Sequence, residues 1–412
     1  MLKSSPVSWH KYLIVLLAIN GLLFFALWGI SMFGFPDLLI SDHLFNADAN
    51  HYQYIRDFGY SGHKIAFFPL TPFLWRYLGL DGYGIFAFHA FLYGISALWL
   101  ARTFRFSLRA FALSAALPNA FFLLLPFSEA VFFAGATVAL VGLHRNRLPV
   151  ILLGLFLCTL TRPAFTIFFP ALLITEYARI GLNRVFLLRM LAYALIFGAA
   201  ATLVAWIQWV DTGQWFGYFG IQKDWGNFLQ MPTFPLRTWG GLDALLLDAA
   251  AFISGLLAMG FVVKTLLLRL QNQGKELSPA IVFAISYLAG ITFVVLIFRG
   301  GWLFSLNRFV FATPFAWLAI YQLFQTKTQG LNWEKMGLAF IAILLFTFLF
   351  RSYVHLQTLL PFAGLCLFFS AILAITHPKK KIRKIGFAIA FSLEFGFLIF
   401  ACFRMFGGNW IA

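Results

Sequence analysis

Charge is scarce in this chain: Asp, Glu, Lys and Arg make up 11% of its 412 residues, against 62% hydrophobic residues and a mean hydropathy of +0.87. A water-soluble domain of that composition would expose most of its apolar side chains, and no polar stretch is long enough to form one. Cysteine is scarce too. Cys158, Cys366 and Cys402 fall in separate apolar segments, which argues against a disulfide framework or a zinc site. Glycine-rich phosphate cradles of the Rossmann or P-loop type are missing, so no cytoplasmic nucleotide site is indicated. The formal net charge of +16 would suggest nucleic acid in a soluble protein, but an excess of Lys and Arg on cytoplasmic loops accounts for it here, and nucleic-acid binding is set aside.

What the chain has in abundance is apolar runs near the ~20 residues that cross a bilayer's hydrocarbon. They fall at 12–33, 82–101, 108–126, 128–144, 148–161, 163–177, 187–210, 241–268, 280–298, 303–324, 335–350, 357–376 and 385–405. The fold expected is an all-α polytopic membrane protein, one integral domain over residues 1–412, with about 11–13 transmembrane helices. The first run is too long for a signal peptide's apolar core and lacks a cleavage site, so a retained span is expected, its N-terminus cytoplasmic beside Lys3 and Lys11. Residues 148–177 are too long for one straight span, and Arg162-Pro163 divides them, since proline interrupts a helix. That division gathers most basic residues on the cytoplasmic side, the KKKIRK run of 379–384 included, and most acids outside. KKKIRK serves orientation or binds anionic lipid.

Two outer loops, 34–81 and 211–240, are longer than connection requires, and long ordered loops tend to be functional. The first reads as a short interfacial helix from Ala47 to Phe58, with Asn46 as its cap and Gly59 as its stop. Asp48, His51, Tyr52 and Ile55 then share a face, with Tyr52 and Ile55 anchored in the headgroup region. The plain alternative is a solvated acid on an interfacial anchor.

DANHY (48–52), Ile55, Gly59-Tyr60 and AFFPL (66–70) with Pro72 stand in that order after the first span. PFSEAVFFA (126–134), TRPAF (161–165), DTGQWFGYFGIQKDWGN (211–227) and NRFVFATPF (307–315) follow. In this series the chain resembles the PIG-V-like mannosyltransferases, relatives of the eukaryotic glycosylphosphatidylinositol mannosyltransferase 2. That family commonly has Trp before the Asp, where this chain has Ala47, and the last three spans match none of its motifs.

The resemblance implies a GT-C type glycosyltransferase in a bacterial inner membrane or the endoplasmic reticulum membrane. Its active site would face the extracytoplasmic or lumenal side, and its partners would be a polyprenyl-phosphate sugar donor, a lipid- or glycan-linked acceptor and membrane lipids. The chemistry needs a base for the acceptor hydroxyl, for which Asp48 is the candidate. Cations must offset charge on the departing phosphate: Arg308 and Arg162 first, then Lys64. His51, Tyr52, Glu129, Gln222 and Trp225 are candidates to position the sugars. Bland readings stand beside these: Arg162 pairing within the bundle, Arg308 and Trp225 as interfacial residues, Glu129 as a helix-dipole partner. Asp48 and Asn50 alone are a poor set for Mg²⁺, so no metal or other cofactor is expected; a divalent cation would need Asp42, Asp57 or Asp224 as well. The rival activity is a transporter or lipid flippase, whose signature is polar groups near the bilayer midplane and paired, interrupted helices in the two halves; Arg162-Pro163 alone fits it, with no counterpart in the second half.

Overall fold

The structure is a computed structural model describing residues 7–35, 38, 45–271, 277–326, 349–350, 356–409 and 411. Among the described residues six helices are long and apolar enough to cross a membrane: Trp9–Gly34 (α1), Gly82–Phe104 (α4), Arg184–Thr212 (α9), Gly241–Leu270 (α11), Pro279–Phe298 (α12) and Lys380–Phe406 (α16). At 1.5 Å per residue even the 20 residues of α12 reach about 30 Å, the thickness of the hydrocarbon. The chain is an all-α multi-pass membrane protein. Burial sorts these helices: 67% of the most apolar stretch of α12 and 61% of that of α11 lie inside the protein, against 22% for α1, whose Phe24, Phe25 and Phe33 face outward.

Between them lie helices too short to cross alone, including Glu129–His144 (α6), Leu148–Thr161 (α7) and Phe165–Ile180 (α8). The pair α6 and α7 packs closely because Gly142 and Gly154 have no side chain; a Cβ on Gly154 would strike the backbone of Ala139. The break at Arg162 is a reversal. Arg162 is extended between α7 and α8, and Arg179, near the end of α8, returns to bond Asn146 in the turn before α7 (2.7 Å).

Two expected spans differ from the observed ones. The run at 108–126 is Leu108–Ala115 (α5), then a turn through Pro118 and a single 3₁₀ turn at Ala120–Leu123. The run at 303–324 is Leu306–Phe311 (α13) and Pro314–Gln325 (α14), parted by Ala312 and Thr313. A proline lacks the N–H to continue a helix, a fact hydropathy does not register. KKKIRK forms the start of α16 rather than a loop, behind Leu356–Ile375 (α15). Residues 335–348 of the expected span 335–350 lie outside the described residues, as do Asp42 and Lys3.

The bundle has two unlike ends. At one, the loop after α1, the starts of α6 and α8, the 211–240 segment and the 299–305 turn are stitched together: Tyr60 N donates to Asp211 Oδ2 (2.8 Å), Gln208 Nε2 to Ile65 O (2.9 Å), and Leu303 N to Arg237 O (2.7 Å). Gly59 takes φ +80° there, and any Cβ would meet the Asp211 carboxylate. At the other end lie Arg105, Arg109, Arg145, Arg147, Arg184 and Arg269, with Tyr12 donating to Phe106 O (2.5 Å).

Candidate functional site

Helix α2 (Asp48–Phe58) follows the first span, as its spacing predicts, but its surroundings differ from the expected lipid surface. Tyr52 and Ile55 are buried in protein, in a small core with Tyr60, Phe67, Trp75 and Ile85, because an amphipathic face packs against protein as readily as against lipid. Asn46 does not cap the helix with its side chain. Its carbonyl accepts from Ala49 N (3.2 Å), while Ala47 holds the cap position at φ 53°. With α2 pinned through this core, Asp48 in its first turn is held toward the bundle.

There it meets Arg308. Arg308 Nη2 donates to Asp48 Oδ2 at 2.7 Å, across 260 positions of sequence. Arg308 Nε lies 2.8 Å from Glu129 Oε1, the same oxygen that accepts from Arg162 Nη2. Arg162 Nε donates to Ser128 Oγ at 2.8 Å. Four side chains named from sequence, Asp48, Glu129, Arg162 and Arg308, therefore form one ion-pair chain from four separate segments. Glu129 is 1% exposed, and its second oxygen is buried with no hydrogen-bond partner among the described residues. Glu129 also opens α6, so its charge serves the helix dipole and the arginines together.

Three of the remaining candidates gather around one ring. Phe67 is stacked by His51 (4.6 Å between centroids) and met edge-on by Tyr52 (5.2 Å) and Trp225 (6.1 Å). Burial holds the His51 imidazole below its ordinary range; Asp48 opposes this and Lys64 adds to it. Burial pushes the Tyr52 hydroxyl up, with Arg162 pulling the other way, and Ser128 hydrogen-bonds to it, which joins the ring cluster to the ion pairs. Trp225 is 42% exposed. Lys64 stands apart from the arginines: its Nζ sits 3.9 Å over the Tyr54 ring.

Gln222, on Gly217–Asp224 (α10), leads to a residue that the sequence reading missed. Its Oε1 accepts from Asn227 Nδ2 (2.7 Å), and Asn227 Oδ1 accepts from Arg299 Nε (3.0 Å). Arg162, Arg299 and Arg308 all approach the half-buried ring of Phe309, at 5.5, 5.7 and 5.5 Å. Asp248 was missed too. It is a buried acid inside α11, accepting from Thr238 Oγ1 (2.8 Å) and from Asn307 N (2.9 Å) at the start of α13, and so holds the turn that presents Arg308. Asn307 Oδ1 accepts from Asn119 Nδ2 (2.8 Å), which joins the two broken spans. An ionisable residue deep in an apolar run marks Asp248; Arg299 looks like an ordinary span-end cation.

Among the described residues no three His, Cys, Asp or Glu side chains group closely enough to hold a metal ion. Asp57 is engaged by Arg56 (2.6 Å), and Asp224 ends the exposed helix α10. The assembled chemistry is a carboxylate held by an arginine, a second carboxylate with a spare oxygen, three guanidinium groups and an aromatic wall. No protein-family model, curated protein or solved structure matches the chain.

Proposed function

We propose that this protein is a GT-C type glycosyltransferase that moves a sugar, mannose by resemblance, from a polyprenyl-phosphate donor to an acceptor hydroxyl on the extracytoplasmic side. The observation that carries the reading is the Asp48–Arg308 contact with Glu129 and Arg162 behind it, which joins residues of every motif group but one at a single end of the bundle. Asp48 Oδ2 is held by Arg308, which leaves Oδ1 to accept the acceptor's proton. As that proton leaves, the hydroxyl oxygen bonds to the anomeric carbon. The bond from that carbon to the phosphate oxygen breaks, and its electron pair stays with the polyprenyl phosphate. A single displacement inverts the anomeric configuration.

Buried guanidinium groups suit the charge that builds on the leaving phosphate, because a low-dielectric site strengthens their pull and their planar forks fit phosphate oxygens. In this reading the second oxygen of Glu129 accepts from a sugar hydroxyl, and Trp225 and His51, which both meet the Phe67 ring, contact the sugar. The experiment is transfer from a radiolabelled polyprenyl-phosphate sugar by the purified protein. Asp48→Asn should lower the rate about 10²- to 10⁴-fold, the range for general-base removal. Undiminished transfer would remove Asp48 from the role.

A second reading, a transporter or lipid flippase, draws support from the broken spans that meet at Asn119 and Asn307. Movement of a labelled lipid across proteoliposomes, with no transfer to any acceptor, would favour it.

A further inference from the structure

The three arginines around Phe309 are not equivalent. Arg308 contacts the Asp48 and Glu129 carboxylates, and Arg162 shares Glu129, so both charges are compensated in contact. Arg299 touches neutral acceptors alone: Asn227 Oδ1, and the carbonyl of Phe304, over whose ring its guanidinium lies at 3.8 Å. Among the described residues no carboxylate comes within ion-pair distance of it. The acid that acts on it is Asp248, and both oxygens of that carboxylate are engaged, by Thr238 and by the backbone of Asn307. Arg308 repels it. Two like charges that approach one ring, Phe309, in a low-dielectric site are costly unless an anion offsets them.

We infer that Arg299 is the seat of the donor's phosphate, with Arg308 on its flank, and that Phe228, Leu229 and Met231 receive the first part of the prenyl chain. This rests on the glycosyltransferase reading and sharpens it, since the sequence alone favoured Arg308 and Arg162 as the phosphate ligands. The tail's place follows from the chain: immediately after Asn227, which holds Arg299, Phe228, Leu229 and Met231 are 48%, 70% and 88% exposed. An anion seat bordered by exposed apolar side chains fits a phosphate carried on a lipid better than inorganic phosphate. The segment is fixed in place, because Gln230 N donates to Ile297 O (2.9 Å) and Thr233 N to Gly300 O (3.0 Å).

The test is calorimetric binding of three probes, farnesyl phosphate, farnesol and inorganic phosphate, to the full chain in neutral nanodiscs. The parent should prefer farnesyl phosphate to farnesol at least tenfold and bind inorganic phosphate weakly. Arg299→Gln, which keeps a donor toward Phe304, should weaken farnesyl phosphate roughly 10- to 100-fold, the range for one charged hydrogen-bonding group, with farnesol unchanged. Arg299→Lys should regain part of the loss. In the parent, farnesyl phosphate should also protect Arg299 from phenylglyoxal, a readout that needs no variant to fold. Full binding by a folded Arg299→Gln protein, or no protection of Arg299, overturns this inference alone. A parent without preference for the phosphate overturns the glycosyltransferase reading with it. Inorganic phosphate binding as tightly as farnesyl phosphate overturns the assignment of the tail.

Discussion

Each end of the bundle holds one glutamate between two arginines, and the two clusters are built for different ends. At the basic end, Glu176 lies between Arg189 (2.8 Å) and Arg179 (3.4 Å), and the Tyr193 hydroxyl donates to it at 2.7 Å while accepting from Arg189 at 2.8 Å. Its members, Asn146 aside, fall within 17 positions of one another on α8 and α9, and Asn146 closes the side toward α7. At the other end, Glu129 lies between Arg162 and Arg308, drawn from segments far apart in sequence, and the chain continues to Asp48, whose side chain is 25% exposed. Among the described residues no hydrogen bond reaches the second oxygen of Glu176 either, but Arg179 lies 3.4 Å from it and its cluster ends there, whereas the other reaches an open edge at Asp48 and adjoins Arg299. A buried glutamate with two arginines therefore says little about function. What separates a latch from a site is whether the cluster reaches an exposed edge, as the Glu129 cluster does at Asp48.

The two glutamates should respond most differently to substitution. Glu129→Gln should cut transfer by roughly 10²- to 10³-fold, in the range seen when one preorganised electrostatic group is removed, because both arginines lose the negative charge that aims them. Glu176→Gln should leave the turnover number unchanged and lower stability by about 3 kcal/mol, since it strands two cations in a mostly buried place. Thermal unfolding in detergent and transfer rates measured well below the transition separate the two. If folded Glu176→Gln protein loses transfer as severely as Glu129→Gln, the distinction drawn between the clusters is wrong.

Several parts of this arrangement are readable in the sequence for simple reasons. Apolar runs give spans, and Arg162-Pro163 gives a reversal, because a charged residue before proline can hardly continue an apolar helix. Ordered polar motifs at span ends name Asp48, Glu129, Arg162 and Arg308 before any geometry. Other parts are illegible for equally physical reasons. Hydropathy averages over Pro118 and Pro314, so the two broken spans read as whole. An amphipathic face does not state its partner, so Tyr52 and Ile55 read as lipid anchors although they pack on Phe67 and Trp75. A cation's sign does not give its address: Lys64 lies over Tyr54, while Arg299, which looks like a plain span-end arginine, stands among the site arginines.

The aromatic wall tests the open edge more gently. Trp225 meets Phe67 by its edge and leaves 42% of its surface free, so its truncation removes a contact without uncovering the ion pairs. Trp225→Ala should raise the donor KM about 3- to 10-fold with little change in kcat, in keeping with ~0.5–1.5 kcal/mol for an aromatic contact. A fall in kcat alone would mean that Trp225 shapes the reacting groups rather than the bound sugar.

His51 offers the smallest effect and the one with a sign to check. Its imidazole is held below the ordinary value of 6.5 by burial against Phe67, opposed by Asp48 and reinforced by Lys64. The unfolded chain therefore binds a proton more readily than the folded one between the two values. The stabilisation is complete above about 6.5 and fades as pH falls through the folded value. The open cluster should then lose stability on mild acidification in a way that the latch, which has no histidine, does not share. His51→Phe keeps a ring on Phe67 and removes the proton, so its unfolding temperature should decline less between pH 7.5 and 5.5 than the parent's. An identical decline in the two proteins would mean that the acid sensitivity comes from elsewhere and that His51 is held by its stack alone.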